Sequence, residues 1–300
     1  MRSRLGHIAL CAWLLTGAKP VEAQRTWSEG FQPPVSCPVL HADEEPPSHS
    51  QAISINNVTF SGFIQLPVSD QDEIASSVRR EAHGYSLENM VDEALERVRA
   101  GWQNRGYFNV EVNGDGKVLK KNGTDVQIAL FVHVHENIQY RLGKITFKNN
   151  RAVTNSTALR NLFRIQDGDI FSREKIGEGL ANMGKAYSQL GYLNYTGVPS
   201  TTFDDEQKLI HLEIDVDEGR QFYVGDIIVE GLNETARQKV LKDLLLKSGQ
   251  IYDSRLWEIS LSRFTSLFPD CACRSSQPLV LDEKRGTVVM TLDFRPCSAD

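Results

Sequence analysis

The chain has 300 residues, 40% of them hydrophobic and 24% charged, with a formal net charge of −6. This is globular material, enough for two or three small cores, and it excludes a chain that is disordered throughout. The acidic balance and the lack of a long Lys/Arg run exclude nucleic acid as the expected partner.

The first segment reads as an address. Arg2 and Arg4 precede an apolar run from Ile8 to Leu15, and Val21-Glu22-Ala23 ends on a small residue. This pattern predicts a signal peptide over 1–23, cleaved before Gln24 and directing export. The run is well short of the roughly 20 residues that span a bilayer. Cleavage leaves four of five cysteines, Cys37, Cys271, Cys273 and Cys297, an even set that permits disulfides in an oxidising compartment. Residues 24–52 carry Pro33, Pro34, Pro38, Pro46 and Pro47 with no apolar period and read as a disordered linker. Asn-X-Ser/Thr triplets at Asn57, Asn122, Asn155, Asn194 and Asn233 read as chance in a chain rich in Asn and Thr.

From Ile53 an alternating strand runs to Phe60, followed by helical spacing from Asp70 to Glu81. Leu87, Val91, Leu95, Val98 and Trp102 then recur every three or four residues and predict a second helix with one buried stripe, stopped by Gly106. Two strands follow, Phe108 to Leu119 and Val126 to Val134, around the turn Lys120-Lys121-Asn122-Gly123.

The same order returns twice. Ile145 and Phe147 alternate in a strand, Asn155 to Ile165 reads as a short helix, and Ile176, Leu180, Met183, Tyr187 and Leu190 mark a longer one, stopped by Gly191-Tyr192 as Gly106-Tyr107 stops its counterpart. Its closing strand sets Ile210, Leu212, Ile214 and Val216 against His211, Glu213, Asp215 and Asp217, one face core and one face water. The third round has a helix from Glu234 to Leu246 and a helix marked by Trp257, Leu261, Phe264 and Phe268. A strand near Pro278 to Leu281 and an alternating strand through Val288, Met290, Leu292 and Phe294 complete it.

The rounds are a true repeat. Tyr140-Arg141-Leu142-Gly143-Lys144-Ile145-Thr146-Phe147-Lys148-Asn149 returns as Phe222-Tyr223-Val224-Gly225-Asp226-Ile227-Ile228-Val229-Glu230-Gly231, with a fainter copy at Val58-Thr59-Phe60-Ser61-Gly62. A unit of roughly 80 residues is a small domain, so the expected fold is α+β, a tandem array of three strand-helix-helix-strand-strand modules. The expected divisions are 53–138, 139–220 and 221–297.

The module length, the Ile145-x-Phe147-x-Asn149 strand end, the Gly168-Asp169-Ile170-Phe171 turn, the Tyr187-x-x-x-Gly191-Tyr192 helix end and the Asp217-Glu218-Gly219 strand end resemble polypeptide-transport-associated (POTRA) domains. The resemblance implies three-stranded sheets with the third strand central and the second at an edge. It also implies a place in the periplasm of a double-membraned bacterium, where such modules precede outer-membrane β-barrels and help deliver or assemble membrane proteins. In this chain no succession of alternating membrane strands follows the third module before Asp300. The expected function is therefore a non-enzymatic periplasmic binding scaffold, held at the outer membrane through a partner. Its partners would be a β-barrel protein or assembly-machinery subunit and unfolded client polypeptides, with no cofactor and no small-molecule substrate.

An edge strand offers unpaired N–H and C=O groups to an extended peptide, so recognition is expected by strand addition. The candidate edges are Phe108, Val110 and Val112 in the first module, Val198, Thr201 and Thr202 in the second, and Leu279 and Leu281 in the third. Around the turn Glu283 to Gly286, one antiparallel register sets Cys271 opposite Cys297 and another sets Cys273 opposite Cys297, so a disulfide from Cys297 to one of the two is expected.

Competing chemistry is thin. His133 and His135 project from one strand face without a third ligand at useful spacing, and Cys271-Ala272-Cys273 reads as disulfide material rather than a metal site. Asp204-Asp205-Glu206 lacks the alternation and Gly of a calcium loop, and there is no G-x-S-x-G elbow. A secreted metal-binding or hydrolytic protein is the alternative.

Overall fold

A computed structural model describes residues 52–82, 86–123, 125–268 and 279–295. The expected signal peptide, the Pro-rich linker and all of Cys37, Cys271, Cys273 and Cys297 lie outside the described residues.

The elements follow the repeat three times. The first round is β1 (Ala52–Phe63), α1 (Val68–Glu81), α2 (Leu87–Gln103), β2 (Glu111–Asn122) and β3 (Asp125–His135). The second is β4 (Arg141–Lys148), α3 (Ser156–Arg160), α4 (Arg173–Gln189), β5 (Thr196–Asp204) and β6 (Leu209–Asp217). The third is β7 (Tyr223–Glu230), α5 (Glu234–Asp243), α6 (Ser254–Arg263), a single 3-10 turn at Thr265–Leu267, β8 (Leu279–Asp282) and β9 (Thr287–Asp293). Each round builds one mixed three-stranded sheet, ordered β1-β3-β2, β4-β6-β5 and β7-β9-β8. The last strand is central, parallel to the first and antiparallel to the second. Among the described residues no helix is long and apolar enough to cross a membrane.

Period-two alternation sets the sheet faces. Ile210, Leu212, Ile214 and Val216 of β6 are all no more than 3% exposed, as are Val288, Met290 and Leu292 of β9. Each such side chain contributes about 1.5–3 kcal/mol on burial, so the central strand is the energetic spine of its module. Helices cover only that face, and three separate cores result.

Several elements depart from the sequence expectation for identifiable reasons. The centre of the α2 contact is Met90, Ala94, Val98 and Trp102, with Leu87, Val91 and Leu95 on its flank. Ala94 is fully buried at that centre. In α4 the equivalent small residue is Gly179, where a Cβ would stand 2.0 Å from Phe163 Cδ1. The first helix of the second module is five residues long, and beyond it Arg160 donates to the carbonyl of Ile165 at 2.7 Å. Asn155 and Asn233 cap α3 and α5, accepting from the Ala158 and Ala236 amides, which gives two of the Asn-X-Ser/Thr triplets a structural use.

β2 begins at Glu111, not Phe108, and runs on to Asn122. In the third module β8 pairs with β9 in the register Asp282 to Thr287 and Leu279 to Met290, which is neither of the registers expected from the cysteines.

Candidate functional site

The free sheet edges are unequal. In the second module the outer side of β4 is closed where it begins: the Leu142 amide donates to the Asp169 carbonyl (2.8 Å) and the Gly168 amide to the Leu142 carbonyl (2.7 Å). The third module repeats this at Val224 with Gln250 and Gly249. On the opposite side, β2, β5 and β8 have no further strand paired to them among the described residues. β8 has four residues; β5 has nine, with Pro199 in the middle; β2 has twelve and no proline.

Pro199 also fixes the direction of the β5 backbone. Lacking an N–H, it can sit opposite Ile214 only as a non-hydrogen-bonded pair, so its carbonyl points away from β6. By alternation Gly197, Thr201 and Phe203 point outward as well, and the outer edge of β5 lacks one donor at its centre. On β2 the Val112 carbonyl receives Arg99 Nη2 at 3.4 Å from outside the sheet. Alternation then turns the backbone groups of Gly114, Gly116 and Val118 outward in an uninterrupted row.

Few of the expected site residues present side chains there. Val198 and Thr202 are exposed, on the sheet face away from the helices. Val112 and Thr201 are buried, while Leu279 and Leu281 are half-buried against the third core. Val110 is buried in a turn, its amide donating to the Tyr107 carbonyl at 3.2 Å. Phe108 is off the strand altogether and packs on the second core, edge to face with Phe171 at 5.4 Å and tilted on Phe203 at 5.3 Å. Its apolar character serves a joint between modules.

That joint is built twice. The Tyr140 amide donates to the Gly106 carbonyl at 2.8 Å, and the Phe222 amide to the Gly191 carbonyl at 2.8 Å. Gln139 Nε2 reaches the Arg105 carbonyl at 2.9 Å, as Gln221 Nε2 reaches that of Leu190 at 2.9 Å. The Phe171 amide returns to the Tyr140 carbonyl at 3.1 Å, as Tyr252 does to Phe222 at 3.0 Å. Glycine is required at 106, where φ is +90° and a Cβ would lie 2.7 Å from the Tyr140 carbonyl oxygen. Asn104 and Gln103 add bonds to Glu174 and Arg173 across the first joint. Tyr140 OH donates to Asp205 at 2.7 Å; burial and this carboxylate push the phenol up to about 12.

Two carboxylates fasten the strand ends. Glu136, fully buried, accepts from the Gln65 amide (2.6 Å), the Leu66 amide (3.0 Å) and Trp102 Nε1 (2.8 Å). Glu218 accepts from the Ala152 amide (2.7 Å) and Tyr187 OH (3.2 Å). Burial, followed by the Glu218 charge, raises the Tyr187 phenol far above its ordinary range. Sequence reasoning saw Glu218 only as part of the Asp217-Glu218-Gly219 strand end and passed over Glu136. The signal available was an acid directly after an apolar strand in both modules, paired with an aromatic on the preceding helix.

His133 and His135 lie exposed on the open face of the first sheet, beside Ser61 and Phe63. Among the described residues no group of three or more His, Cys, Asp or Glu is placed to hold a metal ion. Asp205 belongs to the first joint.

Residues 140–219 match the family model described as POTRA, surface antigen variable number repeat. Over 206 residues the chain is 28% identical to a Treponema pallidum (strain Nichols) protein provisionally named outer membrane protein assembly factor, covering 66% of this chain and 24% of that one. It is 23% identical over 173 residues to the outer membrane protein assembly factor BamA of Neisseria meningitidis serogroup B, covering 56% and 21%. The chain thus spans about a quarter of the length of the curated relatives it matches. A crystal structure of Haemophilus influenzae BamA POTRA3-5 superposes with a TM-score of 0.58 at 20% identity, covering 81% of this chain and 96% of that one, a likeness of fold.

Proposed function

We propose that this POTRA-domain protein is a non-enzymatic scaffold for outer-membrane protein assembly or polypeptide transport, and that it takes an extended client or partner segment as an added strand along the outer edge of β2. The observation that carries the reading is the row of outward backbone groups on β2, a twelve-residue edge with no proline, equal in length to β1 on the other side of the same sheet and longer than β5 or β8. The relatives named as outer membrane protein assembly factors support a setting at the outer membrane; a place in the periplasm, reached by export and held through a barrel protein or an assembly subunit, is part of the proposal.

The energetics predict weak, sequence-tolerant binding. Each backbone hydrogen bond contributes a net of about 0.5–1.5 kcal/mol, while ordering each client residue costs about 1–2 kcal/mol. Backbone pairing alone therefore roughly breaks even. The surplus has to come from side chains lying on the sheet faces and from several edges engaged by one client.

The test is titration of extended client peptides against the wild type and Val118→Pro, which removes one outward donor from β2. Affinity should fall while the circular dichroism spectrum and the unfolding transition hold. A folded Val118→Pro protein that binds clients as the wild type does would refute the assignment to β2.

A further inference from the structure

We propose that the tip of the β2–β3 hairpin in the first module docks on the headgroup layer of an anionic phospholipid bilayer. Beyond Gly116, where a Cβ would still meet Val91 and Leu87 of α2, the β2 side of the hairpin becomes exposed while Ile128 and Val126 of β3 stay buried. Lys117, Val118, Leu119, Lys120, Lys121, Asn122 and Gly123 are all exposed, Val118 by 44% and Leu119 by 51%. Three of these seven residues are lysines, in a chain whose net charge is −6.

None of the three lysines makes a hydrogen bond or ion pair among the described residues. By contrast Arg97, Arg99, Arg105 and Lys148 each engage a carboxylate. The acids on the same hairpin are Glu111 at its far end, Asp115, opposite Phe131, and Asp125, opposite Asn122, so the basic stretch lies between the last two. A shift in register at Leu119 distributes the charges. Lys117 and Lys120 lie opposite Ala129 and Gln127 of the open sheet face, whereas Lys121 lies opposite buried Val126 on the helix side.

Cations on both faces at the β2 corner of the sheet, with two exposed aliphatic side chains between them, suit a partner that surrounds that corner. A fluid bilayer interface does this: the lysine stems lie along apolar material while the ammonium groups meet phosphates. An acidic peptide added as a strand would run along one edge, and one lying on a face would leave the other face's cations unused. The inference rests on side chains of the tip, whereas the pairing step of strand addition rests on backbone groups.

The experiment is flotation of the full chain with phosphatidylcholine vesicles, with and without phosphatidylglycerol, at low and high salt. Binding should require phosphatidylglycerol and be lost at high salt. The triple variant Lys117→Gln, Lys120→Gln, Lys121→Gln should bind at least about tenfold more weakly, given a contribution of about fivefold per lysine near an anionic surface. Leu119→Asp should weaken binding with the lysines intact. Equal binding to neutral vesicles, undiminished binding of the triple variant, or no binding to anionic vesicles would overturn the proposal. Lysine-dependent capture of polyglutamate without vesicle binding would reassign the tip to an acidic peptide.

Discussion

Tyr140 and Gly106 meet backbone to backbone across the first joint, the Tyr140 amide donating to the Gly106 carbonyl at 2.8 Å. The bond is close enough that only a residue without Cβ fits at 106. Gly106→Ala is expected to cost about 2 kcal/mol, from a left-handed backbone with a side chain and from the steric conflict. Small-angle scattering should show a wider range of module arrangements, while the separate cores keep their circular dichroism signature. Phe108→Ala should loosen the same joint by removing its ring from Phe171 and Phe203. Scattering profiles identical to wild type for both variants would show that the joint does not depend on these contacts.

Glu136→Ala should be among the most damaging single substitutions in the first module. It would leave the Gln65 and Leu66 amides and Trp102 Nε1 without their acceptor in a fully buried place. The expected loss is about 3 kcal/mol or more. Glu136→Gln, which retains an acceptor oxygen, should lose less. Denaturant unfolding followed by Trp102 fluorescence reads both, and equal stability of all three proteins would contradict the role given to the carboxylate.

Thr201→Val is expected to stabilise the second module by about 1 kcal/mol, because the buried Thr201 Oγ1 has no hydrogen-bond partner among the described residues and valine has nearly the same shape. Proline at the same site tests the backbone direction derived from Pro199. Thr201→Pro should keep the module folded because that amide points outward, whereas Thr202→Pro should destabilise it by removing a bond to β6. The reverse order of stability would show that the direction has been assigned the wrong way round.

The phenols set the alkaline limit. Tyr140 and Tyr195 are raised to about 12 from an ordinary 10, Tyr195 by burial and Tyr140 by burial and then its bond to Asp205. A phenol whose folded value is raised contributes stability that is fully present below its unfolded value and is lost as pH rises through the folded one. Stability should therefore hold to about pH 10 and decline between about 10 and 12. Phenolate absorbance and circular dichroism should change together over that window. Phenolate formation complete near pH 10 in a still-folded protein would refute the burial of these rings.

Much of the architecture could be read from residue spacing, since β6 and β9 alternate without exception and the repeated strand openings fall on β4 and β7. What escaped was chemistry that looks ordinary in one dimension. Phe108 and Val110 have the character of strand residues, yet one belongs to a joint and the other to a turn. Ala94 and Gly179 contribute to packing by being small, which an apolar stripe does not register. Glu136 reads as a surface acid until Trp102 and the chain at Gln65 and Leu66 close over it. The ranking of the edges depended on Pro199 and on the closure of β4 and β7, neither of which spacing alone conveys.

The two joints have a geometric corollary. Five residues, 136–140 and 218–222, separate the end of each central strand from the start of the next module. Within both spacers the second residue is left-handed, Asn137 at φ 59° and Gly219 at φ 63°. A head-to-tail contact made twice with the same bonds applies one rotation and one translation twice. The chain is then a ruler graduated in modules, with the outer edges of β2, β5 and β8 set at a repeated spacing. Inserting a single residue in either spacer would change that spacing while leaving every edge intact.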